Sequence, residues 1–352
     1  MMEYYDKLNL AIKNTLEDER LKYHLQYLDE VVKLASIIIE NTKDLVVDNY
    51  YTNVSLDNSI DIVTNFFSKI NGEYASRFLK LLKEKDIYDG KACNIVNFNK
   101  IDSPRIDRSE VRDDGSLHID YSETLADAFN ISHEFTHKFS KQKYKDSTIK
   151  QFLGESTTLT IEFLLEDYLL ESSFYDKDEM KIRKTNRLKE TYDDATAVIF
   201  EYTLLKLYKE NNGVLNEEIL LNYLNSLPKD SRLYELFFHN SKRYLGDIVS
   251  KGHLQFSYRQ RYVIGVVLAS YFHDNIIKDE SYKNRLFYLI EILGHTDMTS
   301  LDDLKALEKL EIPVIEEGNF KVNANNIGIL SNYYKKEVSD VLEVQKENNH
   351  IK

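Results

Sequence analysis

The sequence predicts a mainly α-helical fold with one small antiparallel β-sheet. Three observations lead there. Breakers are scarce: three prolines, at 104, 228 and 313, and 11 glycines in 352 residues. Apolar residues recur at helical spacing through most of the chain. In one region the pattern changes to short stretches rich in apolar and β-type residues.

Residues 4–22 and 23–46 read as two helices. Ser55 is an N-cap candidate for a helix carrying Ile60, Val63, Phe66, Phe67 and Ile70, and Gly72 is a candidate stop. A further helix, with Tyr74, Phe78, Leu81 and Leu82, runs to about residue 86. "ACNIVNFN" (92–99) and "SLHIDY" (116–121) then read as strands of the small sheet, separated by a polar segment containing Pro104 and Gly115. Helices resume near Ser122 and continue almost to the end. The charged last stretch, "YYKKEVSDVLEVQKENNHIK", reads as an amphipathic helix with a frayed end.

Composition narrows the class. With 42% hydrophobic residues the chain can bury one large core or two smaller ones. No apolar run approaches a membrane span, and "MMEYYDKLNLAIKN" lacks the basic start and apolar stretch of a signal peptide. The single cysteine, Cys93, excludes an internal disulfide framework and a Cys-rich zinc module, so a cytoplasmic location is expected. A net charge of -13 argues against sequence-independent nucleic-acid binding, which needs Lys and Arg against phosphates.

The chemistry concentrates in "FNISHEFTHKFS" (129–140). Four residues along a helix is 400°, so His133 and His137 project from nearly the same side and can take two corners of a zinc tetrahedron. Glu134, turned by one residue, flanks the metal as a general base for the water that the metal activates. Leu125, Ala128, Phe135 and Phe139 mark another face, which buries the helix. Downstream, "FLGESTTLTIEFLLEDYLLE" opens with a helix-start signal at Gly154 to Ser156 and carries Glu155, Glu162 and Glu166 on one face. One of these acids completes a His-His-Glu set with the fourth position open. Glu155, near the expected helix start and close to a flexible loop from His137, is the preferred ligand. Glu162 and Glu166 read as solvated charges or as partners of the ligands.

Three ordered segments resemble the thimet oligopeptidase and oligoendopeptidase F metallopeptidases. "DYSETLADAFNISHEFTHKF" (120–139) is similar to the family's strand end and metal helix, and "GESTTLTIEFL" (154–164) to its third-ligand helix. "GHLQFSYRQRYVIGVVLASYF" (252–272) is similar to its late substrate-binding segment, where a His precedes closely spaced tyrosines. Weaker likeness extends the match over roughly residues 54 to 310. The resemblance implies a multi-helix zincin-type fold with the sheet beside the metal helix. It implies one Zn2+ per chain on His133, His137 and Glu155, with Glu134 activating water. His253, Tyr258 and Tyr262 would face the scissile carbonyl, where a tyrosine hydroxyl can donate to the developing oxyanion. Independently of the resemblance, Tyr258 and Tyr262 stand four apart, on one helix face, with His253 just before the helix. Strand "SLHIDY" would offer an exposed edge to an extended peptide.

The sequence departs from the family pattern where Thr136 replaces the usual Gly, where Ser140 replaces a frequent His, and in a shorter gap from His137 to Glu155, which keeps Glu162 as the alternative ligand. Gly265 replaces a tyrosine in one of two alignments of the late segment. Only about fifty residues precede the recognisable part, so a shallower cleft open to larger substrates is expected. The expected organisation is a helical part over 1–90, a catalytic part over 91–310 and a helical extension over 311–352. The expected function is a zinc-dependent endopeptidase acting on peptides or flexible protein segments. A catalytically silent relative that binds a peptide or protein partner is the alternative.

Overall fold

Short polar caps and long apolar faces organise the chain into the elements of the computed structural model. It describes residues 2–42, 45, 52–83, 93–97, 109–111, 117–140, 147–172, 177–296, 298, 301–316 and 319–350. In chain order the first helices are α1 (Met2–Glu17), α2 (Lys22–Gln26), α3 (Leu28–Thr42), α4 (Leu56–Ile70) and α5 (Gly72–Lys83). Strands β1 (Cys93–Asn97), β2 (Glu110–Val111) and β3 (Leu117–Tyr121) follow. Then come α6 (Ala126–Ser140), α7 (Thr148–Ser172), α8 (Lys177–Glu210), α9 (Glu217–Ser226), α10 (Arg232–Lys251), α11 (Phe256–Lys278), α12 (Tyr282–His295) and α13 (Leu301–Glu308). A two-stranded antiparallel hairpin, β4 (Ile315–Glu316) and β5 (Asn319–Phe320), precedes α14 (Ala324–His350). The mainly helical fold with a small sheet is as the sequence predicts. Among the described residues no helix is long and apolar enough to cross a membrane.

Two details of the sheet differ from the reading of the sequence. Its order is β1-β3-β2, and the two strands legible in the sequence pair in parallel, Cys93 opposite Leu117 through Asn97 opposite Tyr121. The antiparallel partner is β2, which aligns Glu110 with His118 and Val111 with Leu117. Strand β3 is therefore central, not an exposed edge for a peptide. A two-residue strand has no periodicity to read, so β2 is invisible in the sequence. Residues 92, 98–99 and 116, Pro104 and Gly115 lie outside the described residues.

The chain packs as two units: Met1–Lys43 with Lys189–Ile264, and Asp44–Leu188 with Gly265–Lys352. They are defined by packing, whereas the segments 1–90, 91–310 and 311–352 are a functional division, which stays a proposal. In the first unit α1 buries Leu8, Ala11 and Ile12, one helical stripe, and packs against α10. The Asn9 amide fastens α1 by donating to the Leu215 carbonyl at 3.0 Å and accepting from the Leu215 N–H at 2.8 Å.

In the second unit α6 is the hub, packed against α4, α7, α12 and β3. Its Phe129, Ile131 and Phe135 are fully buried. Burying each such side chain contributes roughly 2–3 kcal/mol before entropic costs. Ser55 caps α4 as expected, accepting from the Asn58 N–H at 3.3 Å. The start of α6 is fixed by Asp127. Its carboxylate accepts from the Ser122 N–H at 2.8 Å and reaches back to the Thr124 N–H at 3.1 Å, the acidic half of a capping box.

Candidate metal centre

His133 and His137 lie one turn apart on α6, and both rings turn the same way. Their Nε2 atoms are 3.0 Å apart. Glu155 comes from α7, with Oε2 at 3.6 Å from His133 Nε2 and Oε1 at 3.5 Å from His137 Nε2. One ligand atom from each residue fits within 4.8 Å of the others, so the three can hold a metal ion. The spacing fits zinc. With bonds of about 2.0–2.1 Å, neighbouring corners of a tetrahedron are about 3.3 Å apart, inside the observed spread. Two imidazole nitrogens and one carboxylate also match zinc's donor preference and leave a corner for solvent or substrate.

The expected helix start at Gly154 is not where α7 begins. It begins at Thr148, with the Ser147 hydroxyl accepting from the Lys150 N–H at 3.2 Å. Glu155 therefore sits two turns inside α7. Glycine inside a helix costs only about 1 kcal/mol relative to alanine, so Gly154 did not have to mark a boundary. The loop expected between His137 and Glu155 falls mostly on 141–146, outside the described residues.

Glu155 owes its room to Gly265 of α11. A Cβ at 265 would lie 3.0 Å from Glu155 Cβ and 3.1 Å from Leu159 Cδ1. A tyrosine at this position, as one family alignment has it, would not fit this packing.

Glu162 is buried and belongs to the second layer of the site. Its Oε1 is 2.7 Å from His133 Nδ1. Nδ1 thus carries a proton shared with Glu162, and Nε2 is the nitrogen presented to the Glu155 side. The other Glu162 oxygen accepts from Arg183 Nη2 at 2.7 Å. One turn along both helices, Arg187 binds Glu166 in a two-pronged pair at 2.7 and 3.2 Å. Both guanidinium groups lie over phenyl rings, Arg183 over Phe129 at 3.6 Å and Arg187 over Phe163 at 4.0 Å. Burial opposes the charged form of His133, but the hydrogen bond and charge of Glu162, then Glu134 and Glu155, push it up. Burial likewise opposes ionised Glu162, while His133 and Arg183 bring it down. The sequence carried a signal for these partners: Arg183 and Arg187 repeat the four-residue spacing of Glu162 and Glu166.

Glu134 is buried beside His133 in sequence. Thr136 is fully buried, its hydroxyl donating to the Ser132 carbonyl at 2.8 Å, and Ser140 is buried as well. Neither substitution leaves a side chain exposed on the surface of α6.

His253, Tyr258 and Tyr262 belong to the first unit. Gly252, at φ 71°, ends α10 in the left-handed conformation that glycine tolerates, and its N–H bonds the Ile248 carbonyl at 2.9 Å. His253 follows, exposed, with Nδ1 2.9 Å from the Lys251 carbonyl. Buried groups tie down the next two residues. The Leu254 N–H donates to Thr15 Oγ1 at 2.9 Å and the Gln255 N–H to Glu201 Oε2 at 2.8 Å. On α11 the Tyr258 and Tyr262 rings meet edge to face with centroids 5.2 Å apart.

No family model matches the sequence, and no curated protein does. The fold is similar to a crystal structure from Chlamydophila abortus described provisionally as that of a peptidase. The TM-score is 0.55 at 18% sequence identity, over 94% of this chain and 57% of that one. The chain thus spans little more than half the length of that relative.

Proposed function

We propose that this protein is a zinc-dependent endopeptidase acting on peptides or flexible protein segments. The observation that carries the reading is the convergence of His133 Nε2, His137 Nε2 and a Glu155 carboxylate oxygen at tetrahedral spacing. A bound zinc would supply a Lewis acid that polarises the peptide carbonyl and makes water a nucleophile near neutral pH. Glu134, next to His133 on α6, is the base that takes the proton of the attacking water and returns it to the leaving amine. Glu162, braced by Arg183, holds the His133 ring and its tautomer. His253, Tyr258 and Tyr262 are assigned to the reacting carbonyl, with a tyrosine hydroxyl donating to the oxyanion. The resemblance to oligopeptidases and the provisional peptidase description of a protein of similar fold support the substrate class.

The test is zinc content together with cleavage of a mixed quenched-peptide library, for the wild type and for Glu134→Gln. The expected result is one zinc per chain in both and cleavage in the wild type only. Zinc without any cleavage would favour a catalytically silent peptide binder, and absence of zinc would remove the reading.

A further inference from the structure

The two tyrosines on α11 are not equivalent, and the group that separates them is Arg261. Arg261 Nη2 donates to the Tyr262 hydroxyl at 3.1 Å. The Tyr262 hydroxyl in turn donates to the Tyr258 hydroxyl, also at 3.1 Å. The guanidinium carbon lies 4.4 Å from the Tyr258 ring centroid and 4.9 Å from that of Tyr262, so one cation touches both rings.

A phenol has one proton to give. That of Tyr262 is committed to Tyr258. Tyr258 accepts there, so its own proton is available outward, and Tyr258 is 55% exposed. Each bond in such a row polarises the next, and a cation at its head makes the last hydroxyl a stronger donor.

We propose that Arg261 is a positioning residue that directs this relay, making Tyr258 the hydroxyl offered to substrate and Tyr262 its internal support. The proposal rests on the peptidase reading and refines it, because the sequence alone ranks neither tyrosine. Arg261 touches no reacting atom; it acts through Tyr262.

Two readouts test it. The first needs no activity: the 13Cζ resonances of Tyr258 and Tyr262 in 13C-tyrosine protein, assigned by their loss in Tyr258→Phe and Tyr262→Phe. The Tyr258 resonance is expected to move in Tyr262→Phe and in Arg261→Gln. A Tyr258 resonance unmoved in both would overturn the relay, whatever the enzyme does. The second is peptide cleavage at constant zinc content. Tyr258→Phe is expected to lower kcat on the order of 100-fold with KM little changed. Arg261→Gln and Tyr262→Phe should each lower kcat roughly 10-fold, and Arg261→Lys, which keeps the cation, should recover part of that. Adding Arg261→Gln to Tyr258→Phe should cost nothing further, since the relay then has no end. An equal further loss in that double variant, or a larger loss from Tyr262→Phe than from Tyr258→Phe, would overturn the proposal. A wild type that cleaves nothing would overturn the peptidase reading, and the resonance shifts would then decide the relay alone.

Discussion

At the scale of the residue, Glu162 shows how much of the candidate site lies behind the proposed ligands. It gives one oxygen to His133 and the other to Arg183, so a partly buried imidazole and a partly buried guanidinium share one buried carboxylate. Glu162→Ala removes the orienting bond and leaves Arg183 facing a cavity. Its zinc affinity is expected to fall roughly 10- to 100-fold, the usual effect of losing such a partner, measurable by competition with a zinc indicator. An unchanged affinity would mean that the His133 ring is held by something else. Glu201, in the other unit, offers a separate pH test. Burial raises its carboxyl from the ordinary 4.5 to about 7, against the pull of Arg259 and the Gln255 and Phe256 amides. A raised carboxyl contributes stability that is complete below the unfolded value and lost as pH climbs through the folded one. Here the loss runs from about pH 4.5 through about 7 and amounts to roughly 3 kcal/mol. Glu201→Gln removes the titration. Its urea midpoint is expected to fall less than that of the wild type between pH 5 and 8, and parallel profiles would contradict the assignment.

Among the elements, α6 was legible because two signals coincide on it, an apolar stripe and a pair of histidines at helical spacing. Of the three acids on α7, Glu155 is the one whose carboxylate lies beside both histidine Nε2 atoms. It does not stand at the helix start that the sequence suggests, since α7 starts seven residues before it. Helix boundaries are set by caps such as Ser147 that resemble any other polar residue in a loop. The parallel pairing of β1 with β3 was illegible for a different reason: strand direction is decided by tertiary packing, not by local pattern. Gly265 is the element-level feature most open to test, since it sets how closely α11 approaches Glu155 and Leu159. Gly265→Val is expected to push Glu155 aside and speed zinc loss by at least tenfold, read as the dissociation rate into a chelator. Leu159→Ala in the same chain should restore part of the affinity, because part of the clash is with the Leu159 methyl. Equal zinc retention in Gly265→Val and the wild type would show that the helices can part without disturbing the ligand.

On the scale of the whole molecule, the second unit is crossed by a ladder of buried and partly buried charges that composition could not reveal. Beyond the Glu162–Arg183 and Glu166–Arg187 rungs, Lys184 pairs with Glu337 of α14 at 2.6 Å. Glu337 also takes His273 Nδ1 at 2.7 Å, and His273 Nε2 meets Asp167 at 2.8 Å. Burial opposes both charges of the His273–Glu337 pair, but their mutual contacts, with Asp167 and Lys184, raise the histidine to about 9 and lower the glutamate. The pair holds α14 to α11 from below neutral pH up to about 9. Removing one partner leaves the others buried and uncompensated, so Glu337→Ala is expected to cost about 3–5 kcal/mol in urea unfolding near pH 7. A loss below about 1 kcal/mol would place these charges in contact with water. Such a ladder pairs residues as far apart in sequence as Lys184 and Glu337, which explains why helix content and the candidate metal motif could be read along the chain while the scaffold behind them could not. If His133, His137 and Glu155 together hold one ion, zinc stoichiometry after exhaustive dialysis reads it without any assay of activity. One zinc per chain is expected in the wild type, lost in His137→Ala and in Glu155→Ala with the fold kept. Zinc retained in both variants, or none bound by the wild type after incubation with zinc, would contradict it.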